Sequence, residues 1–158
     1  MRQNRLELLF AAAVLCSAVC AWAETKLPVI AVVPFEAAGV SQEDADAFTA
    51  RFAETLAAGG TTSAADSRDV NTLLAQQGLV ASDLIDAERS ASFAAETGAD
   101  FIIVGKLFSL GGSVGAFVTM IGVKPPSAYV TVRQAESVDT LMAEMPGLCE
   151  ELLGNALE

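Results

Sequence analysis

Two uninterrupted runs of β-forming apolar residues, Val29-Ile30-Ala31-Val32-Val33 and Phe101-Ile102-Ile103-Val104, stand out from a chain whose other apolar positions are mostly spaced for helices. A run without polar alternation predicts a strand covered on both faces, central in a sheet and parallel to a neighbour. After the first run, Ala45, Phe48, Phe52 and Leu56 recur at helical spacing and predict the buried stripe of a helix over 41–58. Ser41 is placed to cap it with Asp44 three residues on, Glu43 and Asp44 suit its positive end, and Gly59-Gly60 ends it. Residues 61–65 read as a weak strand of small side chains. A second helix opens over 66–69, turns Val70, Leu73 and Leu74 inward and stops at Gly78. A third starts at Ser82 or Asp86 and runs through Phe93, Ala94 and Thr97 to Gly98, a left-handed closing residue.

Beyond the second run the pattern changes. Val114, Phe117, Val118, Met120, Ile121 and Val123 form one strand and residues 129–132 another, separated by Lys124-Pro125-Pro126-Ser127. So short a link makes an antiparallel pair and not a parallel crossover. The last element carries Val138, Leu141, Met142, Met145, Leu148, Cys149, Leu152 and Leu153 on one face, with Pro146 placed to kink or split it. The expected fold is α/β: a single domain over 24–158 with a mixed sheet of about five strands and helices packed on it. Its C-terminal antiparallel hairpin is followed by an amphipathic helix.

Residues 1–23 read as a signal peptide. Arg2 and Arg5 precede an apolar run over 8–19, and Ala21-Trp22-Ala23 offers a cleavage site before Glu24. The run is too short for a bilayer span, which needs ~20 apolar residues. A periplasmic protein is expected, with lipidation of Cys20 and an outer-membrane anchor as the alternative. Cleavage after Ala23 removes Arg2, Arg5 and Glu7 and moves the net charge from −11 to −12. Such a surface repels nucleic acid and anionic lipid, so neither is expected as a partner. It also leaves Cys149 as the one cysteine, so no internal disulfide can form.

Candidate chemistry is sparse. Gly111-Gly112-Ser113-Val114-Gly115 has the spacing of a nucleophile elbow, but an elbow joins a strand to a helix and needs a base. Here the motif lies between two strands and the chain contains no histidine. Cys149 sits on an apolar stripe, as a small core residue does. Glu43, Asp44 and Asp46 fan around a helix start, and Asp83, Asp86 and Glu88 lack the spacing of a calcium loop. Gly111-Gly112 leads into a strand, where a phosphate cradle leads into a helix. No catalytic residue, cofactor or metal is therefore expected.

Several segments together resemble the superfamily typified by the amino-terminal domain of TolB. They are Val29-Ile30-Ala31-Val32-Val33-Pro34-Phe35, Asp66-Ser67-Arg68-Asp69-Val70, Leu73-Leu74-Ala75-Gln76-Gln77-Gly78-Leu79, Gly98-Ala99-Asp100 with its strand, Leu110-Gly111-Gly112 and Met145-Pro146-Gly147-Leu148. Relatives include activators of penicillin-binding proteins and the CsgG-type curli-secretion proteins. The resemblance implies a non-catalytic module that docks another cell-envelope protein. A small-ligand-binding periplasmic domain and a cell-wall-synthase activator are the alternatives. The length leaves no room for the barrel hairpins of a secretion channel, and Lys26-Leu27-Pro28 gives almost no reach between an anchor and the first strand. The expected interaction surface is Pro34, Phe35 and Glu36 with Leu110, Gly111, Gly112 and Ser113, where two parallel buried strands emerge on one side of the sheet. The oligomeric state stays open.

Overall fold

The computed structural model describes residues 26–157. The expected cleavage site at Ala23 and Glu24 and the alternative anchor at Cys20 lie outside them. The strands are β1 (Val29–Val32), β2 (Glu36–Ala38), β3 (Ser63–Ala64), β4 (Phe101–Leu110), β5 (Ser113–Val123) and β6 (Pro126–Ala135). The helices are α1 (Gln42–Ala58), α2 (Ser67–Gln77), α3 (Ala87–Thr97), α4 (Val138–Ala143) and α5 (Met145–Leu157), with a 3-10 turn at Ala81–Ile85. The sheet runs β3-β1-β4-β5-β6, and β2 pairs with β4 beyond the end of β1. β1 and β2 are parallel to β4, whereas β5 and β6 complete an antiparallel meander.

Each face of the sheet has its own core. On one side Phe48, Phe52 and Leu56 of α1 and Leu141, Met145, Leu148 and Leu152 of the last two helices cover Ile30, Ile103, Leu107, Val118 and Met120. On the other, Val70, Leu74, Leu84 and Phe93 cover Ala31, Val33, Ile102, Val104 and Ile121. The two apolar runs are thus buried on both faces, as their lack of alternation predicts. The caps behave as their residue types require. Ser41 Oγ accepts from the Asp44 N–H at 3.0 Å, and Asp86 accepts from the N–H groups of Glu88 and Arg89. Pro146 sits in the first turn of α5, where its missing N–H costs nothing, so the last apolar stripe is split between two helices.

β6 takes in Pro126 and Ser127, expected in the link, because both pair with β5, and two further features depart from the expected pattern. The first is β2. Val32 pairs with Ile103 and Glu36 with Lys106, so the N-terminal strand spends one residue more than β4 over the same stretch. That bulge flips the side-chain alternation. Phe35 turns into the α1 core, its ring 5.1 Å from Phe48 and 5.7 Å from Phe52 between centroids, and Glu36 turns to the opposite face. The second is the length of β4, which continues six residues past the apolar run through Gly105 and Lys106 to Leu110.

Candidate functional site

The α2–α3 layer covers only the lower half of its side of the sheet. Along β4, Ile102 and Val104 are buried under it, but Lys106, Phe108 and Leu110 on the same face lie beyond its reach. Their register partners across β5 are Phe117, Gly115 and Ser113, and Phe117 and Thr119 are followed on β6 by Val132 and Val130. Leu110 is 70% exposed, Phe117 41% and Val130 56%. With exposed Val132 and with Ile85 at the end of the 3-10 turn, they form an apolar face that nothing among the described residues covers. Scattered apolar residues on a surface are ordinary, whereas a contiguous group on one sheet face marks an interaction site.

At the lower border of this face lies a cleft of about 190 Å³ lined by Glu36, Ala81, Ser82, Ile85, Val104, Lys106, Phe117 and Thr119. It opens beside the C-terminal end of β1, where open α/β sheets tend to hold ligands. Its volume is below the ~300–1,000 Å³ of small-molecule sites and suits one inserted side chain. Glu36 and Lys106 stand 3.9 Å apart at its wall, so the cleft carries no unbalanced charge.

The residues expected at the surface divide between core and rim. Phe35 is 1% exposed and belongs to the α1 core, which corrects its placement on an interaction surface. The bulge is the reason, and it also explains why the Phe35 N–H donates to Thr49 Oγ1 of α1 at 2.9 Å. Pro34 is half-buried behind it, while Glu36 faces the cleft. Leu110, Gly111 and Gly112 form the exposed tip of the β4–β5 hairpin and Ser113 pairs with Leu110 at its base. Both glycines have positive φ, 62° and 87°, as a two-residue hairpin turn of this hand requires. Ser113 therefore lies in a hairpin and not at a strand-to-helix elbow.

Sequence reasoning missed Ile85, Phe117, Val130 and Val132. Their apolar character was visible, but which side of a strand a helix layer leaves bare is decided by tertiary packing.

Of the charged residues considered as ligands, Asp44, Asp46, Asp83 and Asp86 are engaged locally. Asp83 accepts the Val80 N–H and pairs with Arg89 at 2.6 Å, and Asp86 caps α3. Among the described residues no group of three or more His, Cys, Asp or Glu is arranged to hold a metal ion. Cys149 is buried on α5, and burial pushes its thiol up to about 12. At neutral pH it is a protonated, shielded side chain. No helix among the described residues is long and apolar enough to cross a membrane.

A six-stranded sheet with a bulge between β1 and β2, helices on both faces and a C-terminal meander is an arrangement found in solved structures of other proteins. This chain has the TolB-like fold. The C-terminal domain of LpoB from Salmonella enterica superposes with a TM-score of 0.54 at 12% identity, over 77% of this chain and 92% of that one. Lipoprotein GNA1162 from Neisseria meningitidis gives 0.54 at 16%, over 82% and 99%. TolB from Acinetobacter baumannii gives 0.54 at 12%, over 82% of this chain and 29% of its own larger one. No protein-family model and no curated protein sequence matches the chain. The fold that the sequence resemblance implies is thus the fold these structures share with the chain.

Proposed function

We propose that this chain is a non-catalytic docking module of the bacterial cell envelope. Exported behind its signal peptide into the periplasm, it holds another envelope protein on the uncovered upper half of its sheet. The observation that carries this reading is the bare face of Phe117, Val130, Val132, Leu110 and Ile85 beside a cleft sized for one side chain. Interfaces draw their energy from a few anchors inserted into such pockets. The fold shared with a lipoprotein and with TolB supports the envelope setting. The small volume of the cleft favours protein docking over a metabolite, and a cell-wall synthase is one partner class this module would serve. The hairpin tip Leu110, Gly111, Gly112 and Ser113 and the side chain of Glu36 form the rim of the surface.

The test is capture from an envelope extract with immobilised mature protein, read by mass spectrometry. One partner is expected to be enriched with wild type and Glu43→Gln, and reduced at least tenfold with Phe117→Asp while circular dichroism is unchanged. Equal capture by Phe117→Asp overturns the assignment of the face.

A further inference from the structure

β6 is the end of the sheet, and β5 is its one strand partner among the described residues. Its outward backbone groups can be assigned. The N–H of Val123 donates to the carbonyl of Asp100, so Val123 points its backbone toward β4. Alternation then points Gly122 toward β6, and by the pairing of Gly122 with Ser127 it points residues 127, 129, 131, 133 and 135 back at β5. Pro126, Ala128, Val130, Val132 and Gln134 direct their backbone groups away from the sheet. Pro126, which has no N–H, stands at the start of this edge, a position where a strand tolerates proline.

The free set is centred on Val130, and so is the charge around it. Lys124 lies six residues before Val130 and Glu136 six residues after, both exposed. Between them the strand carries one charge, Arg133, already paired with Glu151 of α5. The whole stretch 101–135 contains no Asp or Glu, so every acidic residue of this strongly negative chain lies outside β4, β5 and β6. A second chain of the same charge meets least repulsion along this edge. An open groove of about 870 Å³ between Val132, Arg133 and Gln134 and the start of α5 leaves room on the helix side.

We propose that two copies of this chain pair β6 against β6 in antiparallel fashion about a two-fold axis at Val130, giving one sheet continuous through both molecules. In that register Ala128 faces Val132 of the second copy, Pro126 faces Gln134, and Lys124 of each copy faces Glu136 of the other. About eight backbone hydrogen bonds form. No residue meets a like charge, since Arg133 falls opposite Ser127. Val130 and Val132 of both copies then lie side by side, so the bare faces join. The pairing uses the strand edge and stands independently of the docking reading, because its test needs no partner protein.

Sedimentation of the purified mature protein from micromolar to millimolar concentration is expected to show a monomer–dimer equilibrium. Lys124→Glu should raise the dissociation constant roughly tenfold by setting two like-charge pairs at the ends of the interface, and Lys124→Glu with Glu136→Lys should restore it. Both positions are exposed, so folding is not at risk. Val130→Cys should form a disulfide-linked dimer on oxidation, and Gly111→Cys at the hairpin tip should not. A monomer throughout the range overturns the proposal. A dimer indifferent to the charge swap and to Val130→Cys also overturns it, because the copies then meet elsewhere.

Discussion

The ring of Phe35 lies against Gly105, filling the space a side chain there would need. A Cβ at Gly105 would collide with the ring and would also come within 2.8 Å of the Phe117 carbonyl oxygen. The bulge that sends Phe35 into the core is therefore matched by the absence of a side chain at Gly105 on the strand beside it.

Gly105→Ala should destabilise the fold by about 1–3 kcal/mol, the usual cost of overpacking a filled core. Because one of the obstructing atoms belongs to the backbone, the upper part of that range is expected. Urea unfolding of the variant beside Gly112→Ala, which meets open space but adopts a positive φ, separates overpacking from backbone strain. A midpoint equal to wild type for Gly105→Ala contradicts the arrangement of Phe35.

Ile103 is fully buried on β4, paired with Val32 on one side and Met120 on the other. Ile103→Ala should cost about 2–5 kcal/mol, as deletion of a well-packed aliphatic side chain does. Glu43→Gln, at an exposed helix start, should cost well under 1 kcal/mol. Denaturant melts of the two variants check the contrast.

Cys149 ties stability to alkaline pH with a definite sign. Its folded-state pKa is raised from 9.0 to about 12 by burial, so above pH 9 the unfolded chain releases its thiol proton while the folded chain retains it. Stability from this group is complete below pH 9 and is lost as the pH rises toward 12. Between pH 8 and 10.5 the wild type should lose more stability than Cys149→Ala. Iodoacetamide should label native protein at pH 8 far more slowly than protein in urea.

Ser113 begins β5 beside a glycine turn, and Ser113→Ala should leave the fold and partner capture unchanged within about 1 kcal/mol, the worth of one hydrogen bond. A hydrolytic activity of the purified protein that disappears in this variant contradicts the non-catalytic reading.

Export is checked by intact mass of the protein recovered from the envelope fraction. A chain beginning at Glu24 is expected, and a diacylglyceryl adduct on a chain beginning at Cys20 contradicts it.

The elements most legible in the sequence are those whose pattern reflects burial on a regular period. Ala45, Phe48, Phe52 and Leu56 are the buried residues of α1, at the spacing read directly from the chain. The termini of α1 and α3 were legible because Ser41, Asp86 and Gly98 act through local hydrogen bonds and local dihedral preference. β2 was not, because Glu36, Ala37 and Ala38 form a strand through backbone pairing with β4 and carry no β-forming signature of their own. The continuation of β4 was masked by Gly105, a residue required by Phe35 from elsewhere in the chain. The exposed apolar face was half legible. The hairpin tip could be placed from its glycines, while Phe117, Val130 and Val132 look in sequence like any strand residues destined for a core.

The meander of β4, β5 and β6 is built from pairings between neighbours in the chain, whereas Val29 reaches Asp100 across 71 residues. Loop closure makes the local ribbon the cheaper structure to form first, which sets an order of assembly. In folding kinetics, Val118→Ala should slow refolding in proportion to its loss of stability, while Ile30→Val should chiefly speed unfolding. A chain that emerges amino-terminus first would thus hold β1 in waiting until its last third has arrived, and only then close around it.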